Sequence, residues 1–309
     1  MRYPQRAPQA GLPEYVTVYE VGPRDGLQNE SALVPTAAKV EFVRRLIAAG
    51  LTTIEATSFV HPGWVPQLAD AGELLEALDL TGPVALPVLV PNERGLDRAL
   101  EAGVGTIAIF GSATDTFARK NLNRSFDEQF AMFEPTVKRA RAHGLEVRAY
   151  VSMCFGDPWE GDVPVAQVVQ AGRRLLDLGA SQLSIGDSIG VGTPGHVKEL
   201  LAAFVDAGTA LDALAVHFHD TYGQALANAY AALEAGVRTF DASAGGLGGC
   251  PYAPGATGNL ATEDLVWMLH GLGIDTGVDL DSLIETSVWM AQVLGRPAPS
   301  GVVRALAPR

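Results

Sequence analysis

The chain alternates short apolar runs with segments whose apolar residues recur at helical spacing, from Tyr15 almost to its end. One joint recurs five times: a helical segment ends at a glycine, and an apolar strand follows at once. These joints are AAGLTTIEA, LEAGVGTIAI, AHGLEVRAY, LDLGASQLSI and LEAGVRTFDA. A repeated βα unit of this kind predicts a parallel sheet.

The spacing of the units predicts eight strands and eight helices. Strands should begin near Val16, Thr52, Val84, Thr106, Glu146, Gln182, Ala213 and Arg238. Helices should begin near Thr36, Pro66, Glu93, Asp127, Pro164, Pro194, Tyr222 and Thr262. Eight units in 309 residues favour an α/β fold of the (β/α)8 TIM-barrel type over a doubly wound open sheet.

We expect a single catalytic domain over residues 1–309. Residues 275–309 continue past the eighth unit as a short C-terminal helical extension. Residues 1–13 contain three prolines and no apolar stretch, which indicates a disordered leader and no export signal. The glycine-punctuated stretch GPRDGLQNE after the first strand is expected to be a polar loop.

Composition narrows the class of protein. The net charge of −13 argues against nucleic acids and anionic membranes as partners. No apolar run approaches the length of a membrane span. The two cysteines, Cys154 and Cys250, are far apart and form no C-x-x-C motif, which fits a reducing compartment. We therefore expect a cytoplasmic protein whose partner is a small molecule.

Polar residues are concentrated where the predicted strands end. In a TIM barrel the carboxyl ends of the strands carry the catalytic groups, and a polar residue inside an apolar strand is costly unless paired. The residues concerned are Arg24 and Asp25 after strand one, Glu55, Thr57 and Ser58 on strand two, Arg148, Tyr150 and Ser152 on strand five, Asp187 and Ser188 on strand six, and His217 and His219 on strand seven.

The stretch VHFHD predicts a metal site. His217 and His219 are two residues apart on a strand, so their side chains face the same way and Phe218 faces the opposite way. With Asp25 and Asn259 they form a mixed oxygen and nitrogen ligand set that suits Mg²⁺ or Mn²⁺, and Zn²⁺ is a further candidate. The alternative is that Asp25 and Asn259 only cap turns.

Two further features could take part in chemistry. Arg24 could hold a carboxylate or stabilise an oxyanion, or it could form an ordinary surface ion pair. The glycine-dense stretch Gly245 to Asn259 resembles an active-site lid. Its Cys250 could serve as a general acid or base, or it could be a buried inert thiol.

Two motifs concern phosphate. The stretch Gly190 to Gly195 satisfies G-x-G-x-x-G, but it follows the sixth strand and Pro194 suits a helix start, so we reject a dinucleotide site. Arg119, Lys120 and Arg124 form the clearest basic cluster. They are candidates for phosphate contacts, although a solvated loop is the more common meaning of such a cluster.

Three long stretches resemble the family of 3-hydroxy-3-methylglutaryl-CoA lyases, within the metal-dependent lyases and Claisen-type synthases of the TIM-barrel class. They are EVGPRDGLQNE (residues 20–30), VHFHDTYGQALAN (216–228) and GGLGGCPYAPGATGNLATEDLVWML (245–269). IEATSFVHPGWVPQ (54–67) and SIGDSIGVGTPG (184–195) add to the similarity. The synthases usually carry a D-x-x-x-R-D-G opening and a regulatory domain, so this chain is more similar to the lyases.

The resemblance implies roles for particular residues. The metal ligands would be Asp25, His217, His219 and Asn259. The catalytic residues would be Arg24, which stabilises the enolate, with Asp25, Glu55, His217 and the lid thiol Cys250. Substrate contacts are expected from Arg24, Gln28, Arg148, Tyr150 and Asp187. Glu20 matches a further acidic position, whereas Phe218, Ser188 and Asp157 depart from residues common in the family.

The expected reaction is the cleavage of 3-hydroxy-3-methylglutaryl-CoA to acetyl-CoA and acetoacetate, with a divalent metal cation as cofactor. The resemblance also implies a place in leucine degradation and ketone body formation. A longer 3-hydroxy-3-alkylglutaryl-CoA as substrate, and a non-catalytic barrel that only binds acyl-CoA, remain as alternatives. The sequence does not give the oligomeric state, and a homodimer is one expectation.

Overall fold

The computed structural model describes residues 3–249 and 258–307. Its strands form one parallel sheet in the order β2-β1-β9-β8-β7-β6-β5-β4-β3. The strands are β1 (Thr17–Glu20), β2 (Thr53–Ile54), β3 (Thr57–Ser58), β4 (Val88–Leu89), β5 (Thr106–Ser112), β6 (Glu146–Ser152), β7 (Gln182–Asp187), β8 (Leu214–Phe218) and β9 (Thr239–Ala242). β2 and β3 are two halves of one barrel strand, separated only by Glu55 and Ala56, so the sheet closes on itself.

Helices connect successive strands. They are α1 (Thr36–Ala48), α2 (Ala71–Glu76), α3 (Glu93–Glu101), α4 (Asp115–Leu122), α5 (Phe126–Ala142), α6 (Val165–Asp177), α7 (Pro194–Asp206), α8 (Ala225–Glu234), α9 (Thr262–Gly271), α10 (Leu280–Leu294) and α11 (Gly301–Leu306). The predicted (β/α)8 barrel is confirmed, and each predicted strand and helix has its counterpart. Helix α4 was not predicted, and it adds a helix to the connection after β5.

The core lies between the strands and the surrounding helices. Val147, Ala149 and Val151 of β6, for example, are fully buried, as are Phe133 and Val137 of α5. Val, Ile and Leu dominate these positions because a parallel sheet covered by helices excludes water from its outer face. The barrel interior is different, since charged side chains fill much of it.

The segment after β1 departs from the predicted polar loop. Residues Gly22–Gly26 form a π-helical turn, and Pro23 occupies one of its first positions. The Asp25 backbone N–H donates to the Val21 carbonyl at 2.8 Å, and Gly26 packs against the chain after β9. The turn therefore holds Arg24 and Asp25 at the mouth of the barrel.

The first residues also differ from the expected disordered leader. The Ala7 N–H donates to the Gly271 carbonyl at 2.8 Å, and the Tyr230 hydroxyl donates to Gln9 at 2.6 Å. This segment therefore packs against α8 and the end of α9 as an irregular but hydrogen-bonded stretch. None of the helices in the described parts of the chain combines the length and the apolar character needed to cross a bilayer.

Gly50, which follows α1, lies in close contact with the segment before α10. Gly50 has φ +94°, and a Cβ placed there would lie 2.2 Å from the Gly277 carbonyl oxygen. Gly103, at the equivalent joint after α3, has φ +76° but open space around the same position. Both need a left-handed backbone, but only Gly50 is in close contact with the segment before α10.

We predict that Gly103→Ala lowers the free energy of unfolding by about 1 kcal/mol, the cost of a left-handed alanine. Gly50→Ala should lose about 3 kcal/mol or more, because the added methyl group also clashes with fixed backbone. Urea unfolding of both variants measures the difference. Equal losses would show that the Gly50–Gly277 contact is not tight.

Candidate metal centre and active site

Three candidate ligands converge at the carboxyl ends of the strands. Asp25 comes from the π turn, His217 from β8 and His219 from the residue after it. One ligand atom from each lies within 4.8 Å of the other two, and the two imidazole rings have centroids 5.3 Å apart. Phe218 faces the opposite way and packs against Phe155 in the core, as the strand periodicity predicts.

Asn259 completes this group from the far side. Its Nδ2 donates to Asp25 Oδ2 at 2.7 Å and to the Leu247 carbonyl at 3.1 Å, which fixes the orientation of the amide. The Oδ1 atom is buried without a hydrogen-bond partner. A buried acceptor of this kind is costly unless something binds it. Two imidazoles, a carboxylate and this amide oxygen are a donor set that fits a divalent cation.

Neighbouring groups shift the pKa values of Asp25 and His217 in opposite directions. Burial works to raise the pKa of Asp25, but the charge of Arg24, the two imidazoles and the Asn259 amide lower it to about 2. Asp25 is therefore a carboxylate at any physiological pH. Burial lowers the pKa of His217, but the hydrogen bond and charge of Asp241 raise it above its ordinary value overall.

Arg24 is held beside the candidate ligands by two carboxylates. Its Nε donates to Glu55 Oε1, and its Nη1 donates to Asp25 Oδ1 at 2.8 Å. The guanidinium carbon lies 5.5 Å from the centre of the Tyr150 ring. Within the described residues no hydrogen bond uses its Nη2 atom, and Arg24 lines the cavity. The guanidinium is thus positioned with a donor left for a ligand.

Glu55 positions its neighbours and does not line the cavity. It is fully buried between β2 and β3, and it accepts hydrogen bonds from Arg24, from the Tyr150 hydroxyl and, at 3.2 Å, from the Tyr19 hydroxyl. A carboxylate with three donors has little capacity left for a substrate. The structure therefore points to an orienting role for Glu55 where sequence analysis expected a catalytic one.

Arg148 and Asp187 also face away from the cavity. Arg148 lies deeper in the barrel, where its Nη2 donates to Asp241 Oδ1 at 2.5 Å. Asp187 accepts hydrogen bonds from the Val191 and Gly192 N–H groups at 3.0 and 2.9 Å, and its burial raises its pKa to about 6. The glycines of the rejected dinucleotide motif thus wrap a carboxylate, and α7 begins at Pro194 as predicted.

Asp241 on β9 was missed by sequence analysis. It is 2% exposed and bonded to His217, Ser184 and Arg148. Its signal in the sequence is faint, because Asp241 is a single carboxylate in RTFDA and belongs to no motif. The alternation of the strand could have flagged it, since Asp241 lies two residues after Thr239 on the inward face.

The cavity that contains these groups has a volume of about 990 Å³. Its lining includes Arg24, Asp25, His217 and His219, together with Gln28 and Tyr150. Apolar side chains also line it, among them Val60, Leu89, Phe110 and Met132. Lys120 and Arg124 belong to the same lining, whereas Arg119 pairs with Asp115 at 2.6 Å and does not line the cavity. Cys250 lies outside the described residues, and Gly249 is the last described residue before it.

Fold and site together define a (β/α)8-barrel enzyme with a candidate metal centre at the mouth of the barrel. The chain matches the family model described as HMGL-like over residues 15–289. It is 50% identical over 294 residues to the mitochondrial hydroxymethylglutaryl-CoA lyase of Bos taurus, which covers 95% of this chain and 90% of that protein. The chain therefore belongs to the HMGL-like family. Its curated relatives include both mitochondrial and cytoplasmic lyases.

Solved structures agree with this assignment. The crystal structure of hydroxymethylglutaryl-CoA lyase from Pseudomonas aeruginosa has a TM-score of 0.93 at 45% identity, covering 96% of this chain and 98% of that one. An HMG-CoA lyase from Acinetobacter baumannii, in complex with coenzyme A and 3-methylmalate, has a TM-score of 0.90 at 36% identity and covers 95% of both chains.

Proposed function

We propose that this enzyme cleaves 3-hydroxy-3-methylglutaryl-CoA to acetyl-CoA and acetoacetate. The observation that carries the proposal is the convergence of Asp25, His217 and His219, which line one cavity of about 990 Å³ together with Arg24. Lyases of this name that align over 95% of the chain support it. The same convergence speaks against a barrel that only binds acyl-CoA, because such a barrel needs no ligand set.

Asp25, His217, His219 and Asn259 would hold the cation. Mg²⁺ or Mn²⁺ suits this set best, because two of the four donors are oxygens and none is a thiolate, while Zn²⁺ remains a candidate. When bound, the cation would polarise the tertiary hydroxyl of the substrate and lower its pKa. The unpartnered Oδ1 atom of Asn259 is the donor that gains most from this arrangement.

The reaction begins with loss of the proton on the tertiary hydroxyl. We assign this proton to the Asp25 carboxylate, directly or through a water molecule, because His217 would hold the cation with Nε2 and has Nδ1 committed to Asp241. The hydroxyl oxygen then forms a carbonyl, and the bond between C2 and C3 breaks. Its electron pair passes to C2 and the thioester, which gives the enolate of acetyl-CoA, while C3 becomes the ketone of acetoacetate.

Arg24 would stabilise this enolate. Its side chain is already fixed by Glu55 and Asp25, so it needs no rearrangement when negative charge develops on the thioester oxygen. Cys250 would then deliver a proton to C2, the role that the sequence resemblance implies for it. We propose Gln28 and Tyr150 as substrate contacts, since both line the cavity.

Two basic residues of the cavity lining, Lys120 and Arg124, suit the phosphates of coenzyme A. Lys120 and Arg124 line the same cavity as the candidate metal centre, and Lys120 Nζ lies 4.8 Å from the centre of the Trp159 ring. In a chain with a net charge of −13, such a local patch offsets repulsion of an anionic ligand. Arg119, turned toward Asp115, does not share this role.

A cytoplasmic location, a homodimer and a place in leucine degradation and ketone body formation belong to the same proposal. One curated relative is a cytoplasmic lyase, and the free, buried Cys154 fits a reducing compartment. The acyl-chain range follows from the apolar wall of the cavity, which leaves longer 3-hydroxy-3-alkylglutaryl thioesters as the second candidate substrates.

The activity is tested by acetoacetate release from a panel of thioesters. The methyl compound should be cleaved fastest, and excess chelator should abolish turnover until Mg²⁺ or Mn²⁺ is restored. His219→Ala should remain folded and lose most activity, because it removes a candidate ligand just after β8 and no member of the apolar core. Full turnover in chelator would refute the metal centre, and a preference for a longer chain would change the substrate.

Arg24→Met should lower kcat by about 10³-fold with a small change in KM, since the guanidinium matters most when the enolate forms. Steady-state kinetics measure the split between kcat and KM. Arg119→Met, which removes an exposed guanidinium, is the matched control and should behave as wild type. A rise in KM alone would make Arg24 a binding residue.

Lys120→Ala should raise KM about 10-fold for the full thioester with little change in kcat, because a phosphate contact binds substrate and transition state equally. With the matching pantetheine thioester, which lacks the nucleotide phosphates, the same substitution should have no effect. Arg119→Ala is the control for loss of charge on α4. An equal effect on both substrates would show that Lys120 acts on the acyl end or on folding.

A further inference from the structure

We propose that Asp241 is a positioning residue that sets the orientation and tautomer of His217, so that its Nε2 atom carries no proton where the cation binds. The inference rests on the proposed function insofar as His217 is taken to be a ligand. Asp241 itself lies outside the ligand set, and it contacts the imidazole nitrogen of His217 that faces away from the other ligands.

The geometry divides the two nitrogens of the imidazole between two tasks. His217 Nδ1 lies 3.2 Å from Asp241 Oδ2, whereas Nε2 faces the ligand group, 3.9 Å from Asp25 Oδ2. A carboxylate can only accept a hydrogen bond, so the shared proton belongs to Nδ1. Nε2 is then left with a free lone pair, as a metal ligand requires.

The backbone fixes this contact. His217 on β8 and Asp241 on β9 are direct partners in the register of two neighbouring strands. Both side chains point into the barrel at the same level, so the contact does not depend on a mobile loop. The Tyr150 ring packs edge-on to the imidazole with centroids 6.2 Å apart, which limits rotation of His217.

Asp241 is held in turn by donors that leave its carboxylate no other orientation. Arg148 donates to both carboxylate oxygens, at 2.5 Å to Oδ1 and 3.2 Å to Oδ2, and the Ser184 hydroxyl donates to Oδ2 at 2.8 Å. Arg148 also donates to Gln182 at 2.9 Å. The carboxylate is therefore ionised and fully bonded, and an amide in its place could present an N–H to Nδ1.

The test compares Asp241→Asn with Gln182→Met. Asp241→Asn keeps the shape of the side chain but favours the tautomer with a proton on Nε2, whereas Gln182→Met removes the other partner of Arg148 and a hydrogen bond to Thr239 and leaves the Asp241–His217 contact in place. The readout is the affinity for Mn²⁺ alone, measured by the free Mn²⁺ signal in electron paramagnetic resonance at temperatures where each variant is folded. Asp241→Asn should weaken Mn²⁺ binding 10- to 100-fold, and Gln182→Met should leave it unchanged.

A second measurement does not depend on whether Asp241→Asn folds. The wild-type protein loaded with Mg²⁺ and labelled with ¹⁵N-histidine should show the proton of His217 on Nδ1, and His217→Asn identifies the signal among the six histidines. A proton on Nε2 would overturn the proposal, as would unchanged Mn²⁺ affinity in a folded Asp241→Asn. Wild-type protein that binds no Mn²⁺ would instead refute the metal centre of the proposed function.

Discussion

The interior of the barrel depends on the pairing of charges that water cannot reach. Arg24, Glu55, Arg148 and Asp241 are each 7% exposed or less, and isolated charges at such positions would cost several kcal/mol apiece. Each arginine is therefore matched with a carboxylate, Arg24 with Glu55 and Arg148 with Asp241. Adding Asp25 gives three carboxylates and two guanidinium groups, a net charge of −1 that a divalent cation reverses.

Two tyrosines join these pairs into one layer. The guanidinium carbon of Arg148 lies 3.8 Å from the centre of the Tyr19 ring and 4.8 Å from that of Tyr150, and both hydroxyls donate to Glu55. Burial and the charge of Glu55 raise the pKa of both phenols, so they remain donors. The side chains that face the cavity are thus supported by a hydrogen-bonded layer of buried polar residues, which suits catalysis by preorganised groups.

The sequence predicts the barrel and the two candidate histidine ligands because both follow from local periodicity. Helix ends at glycine and strand alternation are short-range signals, and His217 and His219 share a face for that reason alone. Sequence analysis did not identify Asp241, because its contact with His217 depends on the register between β8 and β9, which no local pattern encodes. The same holds for Glu55 and Asp187: their residue types suggested catalytic and substrate-binding roles, but their carboxylates accept hydrogen bonds from Arg24 and from the Gly192 N–H and do not line the cavity.

Other differences have similar causes. The residues before Tyr15 look disordered in isolation, yet they bond to α8 and α9, which lie more than 200 positions away in the sequence. Helix α4 is polar and short, so its pattern is weak, and it is stabilised by burial of Phe117. Tertiary contacts determine the conformation of such segments, and local sequence patterns do not reveal those contacts.

The π turn at Gly22–Gly26 places Arg24 and Asp25, for which we propose two different tasks, at consecutive positions. Consecutive residues diverge on an α-helix and on a strand, but this wider turn lets Arg24 and Asp25 pair at 2.8 Å and face the same cavity. In the proposed mechanism Asp25 binds the cation and Arg24 stabilises the enolate, so a backbone shift in this turn would move both groups together. A change that adapted Asp25 to another ion would therefore also displace Arg24 from Glu55 and Tyr150, and those contacts would have to be restored to keep the activity.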